Sequence, residues 1–251
     1  MDTQRRFEYL EALGIDVWVA RRANRAGLRA ELSESQMQST PPRQTETLAD
    51  RGPSPVAPSG STDEAWEAVR EQVRGCTRCP LHSTRTQGVF GVGSREAQWL
   101  VVGEAPGAEE DRRGEPFVGR AGHLLDAMLR SIGLSRTTNV YIANVLKSRP
   151  PGNRDPKPEE VAACLPYLLE QIRLLRPRVM LAVGRIAAQN LLATDAPLGR
   201  LRGRVHHFGE LNTPLIVTYH PAYLLRTPGD KRKAWEDLKF ARSVFRQLQS
   251  T

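Results

Sequence analysis

The sequence predicts an α/β fold: a mainly parallel, four-stranded central sheet with helices on both faces, preceded by an N-terminal helical arm. Four short, largely apolar runs at 99–102, 140–145, 179–183 and 215–219 have the length and composition of buried strands. Helical periodicities at 121–132, 158–175, 185–192 and 231–248 alternate with them, and such alternation builds parallel sheets covered on both faces. With 39% hydrophobic residues in 251, the chain can bury one sizeable core and still leave residues for an appendage.

The elements follow in order. Residues 1–32 form the arm, where Phe7, Leu10, Leu13, Ile15, Val17, Trp18 and Val19 give a helical apolar face interrupted at Gly14. That face suits a protein partner or the main domain itself. Residues 33–62 are rich in Ser, Thr, Pro and Gln and read as a disordered linker. The globular domain is 63–251. It begins with a helix at 66–74, a turn carrying Cys76 and Cys79, and a short strand near Val89 and Phe90, before the first apolar run. The helical pattern at 158–175 is expected to restart at Pro166, because proline has no N–H to continue the ladder.

The formal net charge of +8 lies entirely in 63–251, since residues 1–62 hold eight basic and eight acidic side chains. A basic globular domain suits a polyanionic partner. No apolar run reaches membrane-spanning length, and the N-terminus mixes acidic residues into what a signal peptide keeps basic and then apolar. A soluble, cytoplasmic, monomeric protein with no membrane association is expected. Three cysteines are too few for a secreted disulfide scaffold, so a metal or cluster role competes with plain thiols.

The first strand run leads into Gly103-Glu104-Ala105-Pro106-Gly107-Ala108-Glu109-Glu110-Asp111. This turn sets four carboxylates at the C-terminal mouth of a buried strand, where open α/β sheets hold their ligands. Carboxylates there can orient or deprotonate a water. Helix N-terminal charge is the competing explanation for Glu109, Glu110 and Asp111. Neither Gly-x-x-x-x-Gly-Lys-Ser/Thr nor Gly-x-Gly-x-x-Gly is present, which argues against nucleotide binding at this turn.

Three further blocks follow in sequence order: 115–122 (Glu-Pro-Phe-Val-Gly-Arg-Ala-Gly), 142–147 (Ile-Ala-Asn-Val-Leu-Lys) and 220–226 (His-Pro-Ala-Tyr-Leu-Leu-Arg). With Cys76-Thr77-Arg78-Cys79, the chain resembles the iron–sulfur, or family 4, uracil-DNA glycosylases over roughly 66–245. The resemblance implies a monofunctional DNA repair hydrolase that flips uracil out of DNA and leaves an abasic site. It implies that Phe117 stacks on the base, that the Asn144 amide pairs with the uracil edge, and that Ala105 shapes the pocket. His220 would donate to uracil O2, and Glu104 and Glu110 would position or activate the water. Asn153 would hold that water or a phosphate. Leu224, with Tyr223 and Leu225, would form a wedge in the minor groove beside Arg226. Lys147, Arg149, Arg154 and Arg226 are candidate phosphate contacts. The rival is a superfamily member that binds uracil-DNA without turnover; that branch carries a basic loop ending in histidine, and residues 148–154 contain none.

The resemblance also implies a [4Fe-4S] cluster held by Cys76, Cys79 and Cys164, but Ser148 stands where the family has its remaining cysteine. Three arrangements stay open: ligation through the Ser148 oxygen, three cysteines with an outside ligand, or an absent or labile cluster. Zinc held by Cys76, Cys79, Cys164 and His82 is the alternative metal chemistry. A thioredoxin-like pair is disfavoured, because the Cys-x-x-Cys does not follow a strand of a βαβ unit.

Overall fold

The computed structural model describes residues 62–250; the arm and almost all of the linker expected at 33–62 lie outside them. Helix α1 (Thr62–Arg74) leads to strands β1 (Val92–Gly93) and β2 (Trp99–Gly103), then to helices α2 (Ala108–Arg113) and α3 (Arg120–Ser131). Strand β3 (Val140–Asn144), helix α4 (Pro158–Leu175), strand β4 (Val179–Val183) and helices α5 (Arg185–Leu192) and α6 (Leu198–Leu201) come next. Strands β5 (His206–Phe208) and β6 (Thr213–Thr218) and helices α7 (Pro221–Arg226) and α8 (Lys231–Gln249) complete the domain.

The sheet has the order β1-β3-β2-β4-β6-β5. Its four inner strands are parallel and are the four apolar runs of the sequence. Two short antiparallel strands extend it to six, β1 on β3 and β5 on β6. The short strand expected near Val89 and Phe90 forms instead at Val92–Gly93, and β5 was not foreseen. Every residue of β2, β3 and β4 is buried, as strands between two helical layers must be.

Alternation along β2 sends Leu100 and Val102 to one face and Trp99 and Val101 to the other, feeding two cores. The first packs against Trp66 and Val69 of α1, Leu168 of α4 and Ala187 of α5. The second packs against Leu125 and Leu129 of α3 and Leu238 and Phe245 of α8. Helix α4 does not restart at Pro166 but runs through it. The carbonyl that loses its N–H partner belongs to Ala162, on the exposed side, where water can take its place. This scaffold brings the C-terminal ends of β3, β2, β4 and β6 to one edge of the sheet, and the candidate site is built on the ends of β2, β3 and β6.

Candidate active site

Gly103 and Asn144 are register partners at the ends of β2 and β3. A methyl group on Gly103 would lie 2.6 Å from Phe117 Cζ and would also strike Asn144 Oδ1, so the glycine leaves room between ring and amide. Asn144 is 2% exposed, and its Oδ1 is buried with no hydrogen-bond partner. An unsatisfied buried acceptor costs about 1–3 kcal/mol, a cost that a ligand N–H in that space would remove.

Phe117 has φ of 56°, a left-handed conformation that a bulky residue adopts only when its surroundings impose it. The surroundings are visible. Arg136 donates to Phe117 O at 2.7 Å and to Pro116 O at 3.2 Å, while its Nε is 2.7 Å from Asp126. Glu110 accepts from Val118 N at 2.9 Å and Gly119 N at 3.0 Å on one oxygen, and from Gly107 N at 3.1 Å on the other. Gly122 completes the support, because any Cβ there would collide with the Phe117 carbonyl. The Phe117 ring lies 5.6 Å from the His220 ring, inclined by 33°.

His220 is the N-cap of α7, its Nδ1 accepting from Ala222 N at 3.1 Å. That bond assigns the neutral tautomer with the proton on Nε2, leaving Nε2–H free to donate. Burial, aided by the Arg226 charge and opposed by Glu110, pushes the imidazole pKa down to about 4, so the ring is neutral at pH 7. Glu104, just past the end of β2, moves the other way. Burial first, then the Asp155 carboxylate, raises it to about 7 against the pull of Arg185, which pairs with Asp155 at 2.7 Å. The two groups are therefore poised as neutral donor and as proton acceptor near neutral pH.

Other expected site residues are placed as follows. Ala105 is half-buried against the first core. Asn153 is exposed and accepts from Arg149 Nε at 2.8 Å; it is not brought into hydrogen-bond contact with Glu104, Asn144 or His220. Leu224 is 1% exposed within the second core, whereas Leu225 and Arg226 reach the surface. Lys147, expected to meet a phosphate, is 1% exposed instead, with Nζ donating to Asn144 O at 2.9 Å and Gln171 Oε1 at 2.6 Å. Asp111 is no mere helix-terminal charge, since it accepts from Thr86 N at 2.9 Å and Thr86 Oγ1 at 2.8 Å. Sequence reasoning missed Gly103 and Arg136; a glycine closing an apolar strand was the available signal for the first.

The cysteines form a second locale. Burial raises the Cys164 thiol to about 11, with Cys79 and Cys76 close enough to add to the effect, while Lys147 N donates to Cys164 Sγ at 3.5 Å. Ser148, 2% exposed, accepts from Arg85 Nη1 at 2.8 Å, and Arg85 Nη2 donates to Cys76 O at 3.0 Å. Among the described residues no group of three or more His, Cys, Asp or Glu side chains is placed around a single metal ion. His82 is exposed, its Nδ1 2.8 Å from Cys79 O.

The family model of the uracil DNA glycosylase superfamily matches residues 90–239, a span holding all four sequence blocks and Cys164 but not Cys76 or Cys79. A type-4 uracil-DNA glycosylase of Archaeoglobus fulgidus is 44% identical over 182 residues, covering 70% of this chain and 91% of that protein. The type-4 enzyme of Thermotoga maritima is 43% identical over 189 residues, 74% of this chain and 97% of the relative. A type-5 uracil-DNA glycosylase of Thermus thermophilus is 40% identical over 119 residues, 42% of this chain and 54% of the relative. Similarity to the type-4 proteins thus runs through nearly their whole length, and the chain belongs to the uracil-DNA glycosylase superfamily, in its type-4 branch.

Proposed function

We propose that the chain hydrolyses the N-glycosidic bond of uracil in DNA with turnover, leaving an abasic site. The observation that carries the reading is the unpartnered Oδ1 of Asn144, buried beside Phe117 in the space kept open by Gly103. An amide presents an acceptor and a donor together, which matches the N3–H and O4 of uracil. Phe117 stacks on the extruded base. As the C1′–N1 bond breaks, uracil departs as an anion, and the His220 Nε2–H stabilises the charge growing on O2. Glu104 as carboxylate orients the water on the sugar face and takes its proton when oxygen bonds to C1′. Glu110, occupied by three backbone N–H groups, holds the Phe117 loop rather than the water. Asn153 and Arg149 serve the flanking phosphate backbone, and the groove wedge from α7 falls to Leu225, with Leu224 as its buried footing and Arg226 beside it.

Cys76, Cys79 and Cys164 suit an iron–sulfur cluster by the chemistry of the donor set: three thiols, an N–H aimed at one sulfur, and a hydroxyl held by a guanidinium. These residues would hold it, with Ser148 at the remaining corner, and its contribution there is to cross-link the Cys76 turn to α4.

The test is excision from an end-labelled oligonucleotide bearing one uracil, followed by alkali. Multiple-turnover cleavage, lost in Glu104→Ala and Asn144→Ala, is expected. A single stoichiometric capture without turnover would move the chain to the non-turnover class, and no recognition of uracil would reject the reading.

A further inference from the structure

Beyond β3 the chain leaves the sheet, and the peptide joining Asn144 to Val145 is held from both sides. Val145 N donates to Gly103 O at 3.0 Å, on the β2 side. Because N–H and C=O of one planar peptide point in opposite directions, Asn144 O faces the other edge, toward β1. Strand β1 pairs only as far as Val92 with Ile142, so it offers no N–H at that level. Lys147 Nζ supplies the donor, 2.9 Å from Asn144 O.

The lysine is itself anchored. Its Nζ reaches Gln171 Oε1 at 2.6 Å, and Gln171, fully buried, donates Nε2 to Phe90 O at 2.9 Å. Its backbone N–H points at Cys164 Sγ. An amine this deep cannot meet DNA, and the proposed excision chemistry makes no use of it. It has N–H bonds to donate whether or not it carries the proton, so the arrangement does not depend on its charge state.

We propose that Lys147 is a positioning residue for base recognition: its Nζ locks the Asn144–Val145 peptide plane and thereby aims the Asn144 amide at the extruded base. The proposal rests on the reading of Asn144 as the group that pairs with uracil. A strand end without a partner on one edge can rock about its peptide bonds, and an amide misaimed by a fraction of an ångström loses a two-point hydrogen-bond match.

The experiment compares binding by the full chain of two duplexes, one bearing a non-hydrolysable 2′-fluoro uracil nucleotide and one bearing a tetrahydrofuran abasic analogue. In Lys147→Met, affinity for the uracil duplex is expected to fall about tenfold, the equivalent of one well-made hydrogen bond, while affinity for the abasic duplex stays within about twofold. Loss of both affinities in parallel, or of neither, overturns the proposal. If Lys147→Met does not fold, Gln171→Met, which frees the amine from its anchor, is expected to give the same selective loss; absence of that loss overturns it equally. Asn144→Ala separates the two levels. If it binds both duplexes as the unaltered chain does, the base-reading assignment itself fails, whereas a selective loss in Asn144→Ala without one in the lysine and glutamine variants defeats the positioning role alone.

Discussion

Asn144 and Ser148 lie four positions apart on one stretch of chain and are equally buried, each 2% exposed, yet the fold treats their polar atoms in opposite ways. The Asn144 Oδ1 has no partner, and its neighbours Glu104 and His220 are both pushed from their ordinary pKa values by burial. Ser148 Oγ is met by Arg85, which also ties down Cys76 O, while Cys164 Sγ receives the Lys147 N–H. On the reading proposed above, a site for a transient ligand keeps its bonding capacity unspent, whereas a locale that closes the fold spends it internally. The difference is one of purpose, not of depth, and it carries measurable consequences.

The largest should appear in rate. Glu104→Gln keeps size and removes the proton acceptor, so single-turnover excision is expected to fall by about 10²–10⁴-fold. In the unaltered chain that rate should climb with pH through about 7, as the Glu104 carboxylate forms, and level off above; the glutamine variant should lose the inflection. An inflection that survives assigns the titration to another group and weakens the contrast.

Stability comes next and should change in opposite directions at the two locales. Arg85→Leu strands the buried Ser148 hydroxyl, a loss of about 1–3 kcal/mol that lowers Tm by roughly 3–10 °C while excision per folded molecule is retained. Asn144→Leu replaces an amide whose oxygen is unsatisfied by an apolar group of similar volume, so Tm should hold or rise by about 2–4 °C as activity disappears. Calorimetry of both variants decides the matter, and a lower Tm in the leucine variant of Asn144 would mean that its amide is satisfied after all. Ser148→Cys offers a companion measurement: iron bound per chain should rise if the corner opposite the three thiols faces a cluster.

Smaller effects lie in the pH dependence of Tm. Glu104 binds its proton more tightly folded than unfolded, so its contribution to stability falls as pH rises from about 4.5 to about 7. His220 binds its proton less tightly folded, so its contribution is lost as pH falls from about 6.5 to about 4. The two windows overlap with opposite sign and mask each other. Glu104→Gln should therefore raise Tm above pH 7 and leave it unchanged below pH 4.5, and His220→Asn should flatten the acid limb. Arg226→Ala sets the lower limit: a few-fold loss of DNA affinity, with the slope of log K against log salt reduced by about one.

Much of this was legible in the sequence. The four parallel strands were visible as apolar runs because burial on both faces removes polar residues, and the ends of those runs located Glu104, Asn144 and His220. What escaped depends on contacts between distant segments. Leu224 and Leu225 are indistinguishable in a list, and the azimuth of α7 against the second core decides which is buried. Lys147 reads as a surface residue until the shortness of β1 leaves a carbonyl for it to cap. Glu110 reads as a water-positioning carboxylate and Asp111 as helix-terminal charge, whereas each binds the backbone of a separate loop. The edge strands escaped for a simpler reason: two or three residues carry no periodicity.

Those edge strands matter when molecules crowd together. A parallel sheet ending at β3 or β6 would expose a full-length strand of unpaired backbone, an invitation to neighbouring chains. Instead β1 covers one side with two residues and β5 the other with three. Strand addition in the manner of a growing fibril therefore meets only two or three residues of regular edge strand on either margin, a short template for a neighbouring chain.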